Sequence, residues 1–394
     1  MKMNLLTKSV LVAFLLFLPC LPGMFASDSE KNEYEAVSDG GSLFMIIGTY
    51  TSGKSNGIYV YRFDEVTGKS TYVSEVEAAN PTYLAVSSDE RHVYSVGENN
   101  GEAAVAYAFS FDKANGKLNL LNFQPTNSPG PCYINTDQAG HFVVTANYGG
   151  GTVSVFPLAT DGSLRPVEKV IEFEGSGFDK NRQDKPHLHS TVFSPDQRYL
   201  FAADLGTDKL HTFTTNSSTP FLTPGNPEAY TLEAGSGPRH LTFHPNSKYA
   251  YLINELSGKV TTFHYSDGKL DPVQYIEADN SEGVGGKGSA DIHITPDGKF
   301  LYASNRARTN NIAIFRINDT NGKLTLVGHQ ATDRHPRNFV ITPNGKFLLV
   351  ANMNSSTIQV FVIDRETGLL NEDTSKQITA VDRPVCLKFV TGGY

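Results

Sequence analysis

Residues 238–255, PRHLTFHPNSKYAYLINE, have the pattern that decides the fold, because close copies of it recur along the chain. PRNFVITPNGKFLLVANM from Pro336 and SADIHITPDGKFLYASNR from Ser289 follow the same template. Each begins with an alternating apolar and polar run, which is typical of a β-strand with one buried face. A turn built on Pro-Asn or Pro-Asp follows, and a second, more apolar strand comes next. The repeated unit is therefore strand, turn, strand.

This unit starts seven times, about 50 residues apart. The starts are Pro81, Pro131, Leu188, Pro238, Ser289, Pro336 and Pro384. Each unit continues into a third strand and a turn that often ends in Gly-Lys-Leu, as at 322–324, which gives the length of a four-stranded antiparallel blade. The last unit reaches Tyr394 without a second strand, whereas 44–48 has the second-strand pattern without a first strand. We therefore predict an all-β, seven-bladed β-propeller whose two ends share one blade, which leaves no open edge.

The composition limits what the chain can bind. A net charge of −8 argues against nucleic acid, which requires basic patches. Beyond the first residues, no segment approaches the roughly 18 apolar residues that span a membrane. The sequence lacks a Gly-x-Ser-x-Gly motif, which disfavours a serine hydrolase. Its glycine-rich segments lack the strand-to-helix setting of a phosphate loop. We expect no cofactor, and a monomer or weak dimer.

The first residues have the pattern of a secretory signal peptide. Its parts are two lysines, an apolar run and a small-residue exit: Lys2 and Lys8, residues 10–18, and Ala26-Ser27. We assign 1–26 to the signal peptide, 27–41 to a polar spacer and 42–394 to a single propeller domain. A lipid anchor at Cys20 is the alternative. We expect an exported protein, periplasmic or secreted.

Two positions of the repeat should meet at one mouth of the channel, because antiparallel pairing puts the start of the first strand beside the end of the second. At these positions the charged residues concentrate in consecutive blades. They are His189, Arg239, Glu255, Arg306 and Arg337, with His187, Asn147 and Asp204 beside them. One sector of the mouth should therefore gather histidines, carboxylates and arginines.

This mixture suits chemistry on a small, anionic, oxygen-rich molecule. Arginine binds carboxylate or phosphate with two parallel hydrogen bonds and can stabilise the oxyanion formed when water adds to an ester carbonyl. Histidine or carboxylate can transfer the proton. A set of salt bridges around a water-filled channel is an equally open interpretation. His187 and His189 are spaced for a metal ion, but the nearby arginines compromise Asp204 as a third ligand, so we predict no metal site.

The chain resembles the lactonase-type seven-bladed propellers, which include the bacterial propeller form of 6-phosphogluconolactonase and the fungal carboxy-muconate lactonizing enzymes. The motifs that carry the resemblance are GTYT at 48–51, GIY at 57–59, ANYGG at 146–150, PHLH at 186–189, DLG at 204–206, GPRH at 237–240, NEL at 254–256, SNR at 304–306 and PR at 336–337. The resemblance implies the same fold and a site at the channel mouth. Its catalytic residues would be His189, Arg239, Glu255 and Arg306.

The resemblance also implies a reaction, the hydrolysis of a sugar-acid lactone. Glu255 or His189 would activate a water, while Arg239 and Arg306 would hold an anionic substituent and the developing oxyanion. The expected substrate-orienting residues are His187, Asn147, Asp204 and Arg337. A muconate-type lactonizing cycloisomerase and a ligand-binding propeller without turnover are the alternatives. Because 6-phosphogluconolactone is made in the cytosol, an exported enzyme should act on a different sugar-acid lactone.

Overall fold

The computed structural model describes residues 42–283 and 286–391. The predicted signal peptide with its alternative lipid anchor at Cys20, the predicted spacer and Tyr394 lie outside the described residues. Within the described part, the strands form seven four-stranded sheets, and every paired strand is antiparallel to its neighbour. These sheets are the blades of the predicted propeller. No helix in this part of the chain is long and apolar enough to cross a membrane.

The strands of each blade follow one another in chain order, apart from the innermost strand of blade 1. Blades 1 to 3 contain β1 (Ser42–Thr49), β2 (Gly57–Asp64), β3 (Ser70–Glu77); β4 (Leu84–Val86), β5 (His92–Gly97), β6 (Val105–Asp112), β7 (Lys117–Pro125); and β8 (Pro131–Thr136), β9 (Phe142–Asn147), β10 (Thr152–Pro157), β11 (Lys169–Glu172). Blades 4 and 5 contain β12 (Leu188–Phe193), β13 (Tyr199–Asp204), β14 (Lys209–Thr215), β15 (Leu222–Thr231); and β16 (Pro238–Phe243), β17 (Tyr249–Asn254), β18 (Lys259–Ser266), β19 (Lys269–Glu277). Blades 6 and 7 contain β20 (Gly288–Ile294), β21 (Phe300–Arg306), β22 (Asn311–Ile317), β23 (Leu324–Ala331); and β24 (Pro336–Ile341), β25 (Phe347–Asn352), β26 (Thr357–Ile363), β27 (Leu370–Glu372). Two 3₁₀ turns occur at Gly101–Ala103 and Thr374–Lys376.

The ring closes as the sequence predicts. The last strand, β28 (Pro384–Thr391), is the innermost strand of blade 1 and pairs with β1 in the sheet order β28-β1-β2-β3. The register places Ile47 opposite Leu387 and Gly48 opposite Cys386. Five first strands begin at the predicted residue, whereas β20 begins one residue earlier and β4 three residues later.

The first strands of blades 3 to 7 share a shift in register near their start. Leu188 pairs with Asp204 and Pro238 with Asn254, and in both strands the next paired residue lies two positions further on. The skipped residue is left out of the ladder, and such a bulge re-aims its side chain. The residues skipped or adjoining the shift are Cys132, His189, Arg239, Ala290 and Arg337. The predicted meeting of the two repeat positions at one mouth is confirmed by this pairing.

Apolar side chains fill the wedges between blades, and a recurring hydrogen bond joins blade to blade. The hydroxyl of Tyr251 donates to the carbonyl of Gly322 at 2.8 Å, and that of Tyr302 donates to Gly368 at 2.8 Å. Gly322 belongs to the predicted Gly-Lys-Leu turn; its φ is +68°, and a Cβ there would lie 2.4 Å from the ring of Tyr249. The repeated glycine therefore serves both the turn and the approach of the neighbouring blade.

Candidate active site

Glu255 lies at the centre of a charged cluster at the channel mouth. It directly follows β17, and its backbone N–H donates to the carbonyl of Gly237 at 2.7 Å. Its carboxylate accepts hydrogen bonds from three arginines: Arg182 Nη2 to Oε1 at 2.6 Å, Arg306 Nη2 to Oε2 at 2.7 Å, and Arg239 Nε to Oε2 at 3.0 Å. Because Glu255 is only 6% exposed, these charge-assisted bonds form away from bulk water.

The arginines set the ionisation of Glu255. Burial by itself would raise the pKa of this carboxyl, but the positive charges of Arg306, Arg239 and Arg182 lower it to about 2. Glu255 is therefore a carboxylate at neutral pH and a weak base. This geometry favours a role in holding the arginines over the predicted alternative of activating water.

Arg182 is a site residue that the repeat did not reveal. It lies in the connection between β11 and β12, within the longest interval between any two predicted starts. The next residue, Gln183, is fully buried and donates to the carbonyl of Leu205 at 2.8 Å and to Asp208 Oδ1 at 2.7 Å. These bonds pin the loop so that Arg182 reaches Glu255. The extra length of this interval was the one available signal.

His189 is 5% exposed, and its ring centre lies 5.5 Å from that of His240, a histidine in contact with the cluster. Its Nδ1 lies 3.8 Å from the sulfur of Cys132, and its ring meets that of Tyr148 edge to face at 5.5 Å. Within the described residues, its Nε2 makes no hydrogen bond. Burial, followed by the positive charges of Arg239, Arg337 and Arg306, holds the pKa of His189 well below its usual range. His189 is therefore neutral, with one nitrogen open.

A buried carboxylate orients Arg239 through a second histidine. Asp291 Oδ1 accepts the Nδ1 hydrogen of His240 at 2.7 Å, so Nε2 of that ring is left as an acceptor, and it lies 3.2 Å from Arg239 Nη1. Burial and the charge of Arg239 lower the pKa of His240 to about 4. Arg239 also donates to the carbonyl of Ala290. The guanidinium of Arg239 is therefore held at Nε by Glu255 and at Nη1 by His240 and Ala290.

The remaining two arginines differ in how far their hydrogen-bonding capacity is used. Arg306 Nη1 lies 3.3 Å from Nε2 of His335, whose pKa burial and Arg306 together lower to about 3. Within residues 42–283 and 286–391, Nε of Arg306 is buried without a hydrogen-bond partner. Arg337 lies with its guanidinium 5.6 Å from the ring centre of Tyr50. Among the described residues, that guanidinium forms no hydrogen bond or ion pair. Arg337 is therefore uncommitted.

Three of the predicted substrate-orienting residues make contacts within the protein. Asp204 is fully buried and accepts the backbone N–H groups of His187 at 2.7 Å and Gly206 at 3.0 Å. Asn147 is also fully buried and donates to Ser154 within blade 3 at 2.8 Å. The ring of His187 stacks on Tyr148 at 4.4 Å. Asp204 and Asn147 therefore support the mouth from within their blades, and His187 lies beside it.

Positive charge dominates the mouth although the chain carries a net charge of −8. Four arginines face two glutamates there, Glu255 and Glu98. No group of three or more His, Cys, Asp and Glu side chains is arranged to hold a metal ion in the described part of the chain. A site of this composition can bind an anion or stabilise a negative charge that forms on an oxygen.

The fold and this site define a class of protein: a propeller with a buried arginine–carboxylate–histidine centre at one channel mouth. The sequence model of the family "Lactonase, 7-bladed beta-propeller" matches residues 44–389. The chain belongs to this family, which confirms the resemblance seen in the motifs.

The relatives of this chain agree with the family assignment. A 6-phosphogluconolactonase of Formosa agariphila is 41% identical over 83% of this chain and 94% of its own. A solved structure from Bacteroides fragilis, described as a candidate 6-phosphogluconolactonase, is 52% identical with a TM-score of 0.86, over 90% of this chain and 99% of its own. The periplasmic gluconolactonase of Pseudomonas aeruginosa is 33% identical with a TM-score of 0.84, over 89% of this chain and 100% of its own.

Proposed function

We propose that this protein is a lactone hydrolase that opens sugar-acid lactones at the channel mouth. The observation that carries the proposal is the pairing of an open, neutral His189 with three arginines gathered on Glu255. The similar proteins with assigned names act on gluconolactones, according to those names. They favour hydrolysis over a lactonizing cycloisomerase or a propeller that binds without turnover.

The reaction proceeds by addition and elimination at the lactone carbonyl. His189 Nε2 takes a proton from a water whose oxygen attacks the carbonyl carbon, and the carbonyl oxygen becomes an oxyanion. Arg239 and Arg306 stabilise that charge. The intermediate then collapses, the bond from the carbonyl carbon to the ring oxygen breaks, and protonated His189 returns its proton to that oxygen. The product is the open-chain sugar acid.

The arginines also adjust the basicity of His189 during the reaction. After burial, the largest cause of its low pKa is the positive charge of Arg239, with Arg337 and Arg306 contributing. A negative charge formed between these arginines offsets them and raises the pKa of His189. The histidine therefore becomes a better base as the oxyanion forms.

Arg337 is suited to an anionic substituent on the lactone, since its guanidinium has no protein partner among the described residues. A phosphate or carboxylate there would form two parallel hydrogen bonds. We therefore assign Arg337 to substrate binding, as the sequence predicts.

The test is an acid-release assay on the purified protein with glucono-δ-lactone and its 6-phosphate. Proton release should exceed spontaneous hydrolysis at the same pH, and Arg306→Ala should lower kcat/KM by about 100-fold. Wild-type rates in both Glu255→Gln and Arg306→Ala would rule out this site. Saturable binding without turnover would rule out the enzyme.

Export remains a proposal that the pattern of residues 1–26 supports. Cell fractionation of the full chain, with intact mass of the mature protein, tests it. Cleavage after Ala26 and recovery in the periplasm or medium is expected. Cytoplasmic protein that retains residues 1–26 would contradict export, and membrane recovery that Cys20→Ser abolishes would identify the lipid anchor instead.

A further inference from the structure

A groove of about 790 Å³ adjoins the mouth and plays no part in the mechanism above. Arg182 lines this groove and also donates to Glu255, so the groove and the site share one side chain. The other lining residues come from the loop before β12, from the β15–β16, β17–β18 and β19–β20 connections, and from the adjoining ends of β18 and β19. They include Phe178, Glu233, Lys259, Glu277 and Lys287.

The charges of the groove are balanced, unlike those of the mouth. Lys259 Nζ lies 3.5 Å from Glu233, and Lys287 Nζ lies 2.8 Å from Glu277. Each pair offers donors and acceptors side by side without a net charge. A neutral molecule with many hydroxyl groups can use both kinds of partner, whereas an anion gains little from a compensated pair.

Phe178 gives the groove an aromatic wall. Its side chain is 78% exposed, the largest exposed fraction among the large hydrophobic residues of the described chain. Gln183 accepts the backbone N–H groups on both sides of Phe178, from Gly177 at 2.8 Å and from Asp179 at 3.0 Å, so the backbone of Phe178 is held beside the site. An exposed ring beside polar pairs suits the apolar C–H face of a pyranose, which packs on aromatic rings while its hydroxyl groups point to the sides.

We propose that this groove binds an uncharged sugar unit attached to the lactone, so that the substrates are glycosylated aldonolactones such as disaccharide lactones. The inference rests on the proposed lactonase function. The lactone ring lies among the arginines, and the glycosidic extension passes Arg182 and packs on Phe178. A single lactone ring held at the mouth would leave the groove empty.

The test compares cellobiono-δ-lactone with glucono-δ-lactone in the acid-release assay. Wild-type protein should show the higher kcat/KM on the disaccharide lactone. Phe178→Ala should lower kcat/KM about tenfold on the disaccharide lactone and leave kcat/KM on glucono-δ-lactone unchanged. The matched control is Phe123→Ala, because Phe123 is 56% exposed on β7 and does not line the groove. It should change neither rate.

A binding measurement separates this inference from the function on which it rests. Saturation-transfer NMR with cellobionate, the stable product, should show contact of the protein with the non-reducing glucose ring, and Phe178→Ala should abolish it. Hydrolysis of both lactones with equal kcat/KM and no effect of Phe178→Ala would overturn the groove proposal alone. Absence of hydrolysis with Phe178-dependent contact would overturn the lactonase and support the groove as a sugar site.

Discussion

Glu255 and Glu98 occupy the same position of the repeat, in blades 5 and 2, but their surroundings differ. Glu255 accepts hydrogen bonds from three guanidinium groups. Glu98 accepts them from hydroxyl groups, from Tyr50 at 2.8 Å and from Thr82. Burial raises the pKa of Tyr50 to about 12, so its phenol keeps the proton that it donates. One position of the repeat therefore carries an ion cluster in one blade and neutral donors in another.

The difference shows that the neighbouring blade, more than the position itself, decides what a carboxylate does at this mouth. Glu255 is reached by arginines from blades 5 and 6 and from the loop before blade 4. Glu98 instead has a threonine at the start of its own blade and a tyrosine from blade 1. Substitutions around Glu255 and, separately, at Glu98 test this difference.

The largest effect is expected for Glu255→Gln. Loss of the carboxylate leaves three arginines crowded without their counter-charge, so both catalysis and stability should fall. We expect kcat/KM to drop at least about 100-fold and the free energy of unfolding to fall by about 3 kcal/mol. Acid-release kinetics and urea unfolding measure the two. A variant with near wild-type values in both would mean that the arginines do not depend on Glu255.

A second large effect is expected for Asp291→Asn, which tests whether Arg239 is held by Glu255 alone. The amide keeps only one acceptor oxygen, and Asn338 and the backbone N–H of Phe339 already donate to Oδ2. The NH2 group then faces Nδ1 of His240, so the ring proton moves to Nε2 and the contact with Arg239 is lost. We expect kcat to fall about 10- to 100-fold with a small change in KM. A change in the 15N shifts of the His240 ring should accompany it. Unchanged shifts together with an unchanged kcat would show that Asp291 has only a packing role.

Acid should destabilise the Glu255 side, where the histidines lie. His189, His240 and His335 have pKa values below 6.5 in the folded protein, so the unfolded chain binds more protons as the pH falls below about 6.5. Stability should therefore fall between pH 7.5 and 5.5, by about 1 kcal/mol for each of the three. Urea unfolding at both pH values measures this. His189→Gln should reduce the pH dependence of the free energy of unfolding by the equivalent of about one bound proton. Equal stability at the two pH values would contradict the neutral, buried state of these rings.

Arg337→Ala should affect one class of substrate. Because its guanidinium is uncommitted, its removal should raise KM about tenfold for a 6-phosphorylated lactone and leave glucono-δ-lactone unchanged. The ratio of kcat/KM for the two substrates measures this. An equal loss on both lactones would assign Arg337 to the reaction itself.

The smallest effect is expected on the Glu98 side. Glu98→Gln keeps an acceptor for Tyr50 and Thr82, so lactonase activity should change less than about threefold and unfolding by about 1 kcal/mol. If its activity fell as far as that of Glu255→Gln, the contrast between the two carboxylates would be wrong.

The fold could be predicted almost completely, because a repeated strand pattern fixes the register of every blade, as the pairing of Gly48 with Cys386 confirms. The repeat also placed His189, Arg239, Glu255 and Arg306 together. Arg182 could not be found this way, since its loop has no counterpart in the other blades. Asn147 and Asp204 directly precede the mouth position, and successive strand residues face opposite sides, so their burial within the blades follows from strand geometry.

The protonation of the site could not be predicted from the repeat. Glu255 and His189 were equal candidates for the base because their pKa values depend on which charges surround them. The contacts of Arg182, Arg239 and Arg306 lower the pKa of Glu255 to about 2 and occupy both of its oxygens. Those contacts depend on side-chain packing, which no single position of the sequence encodes.

The register shift near the start of the first strands has a consequence for how this family can change. Residues such as His189 and Arg239 take no part in the ladder pairing, and the residues on either side complete the hydrogen bonding of the blade. The propeller therefore has a set of positions around the channel mouth where a substitution changes the chemistry of the site and leaves the strand pairing unchanged. New substrate preferences can evolve, or be engineered, at these positions one blade at a time.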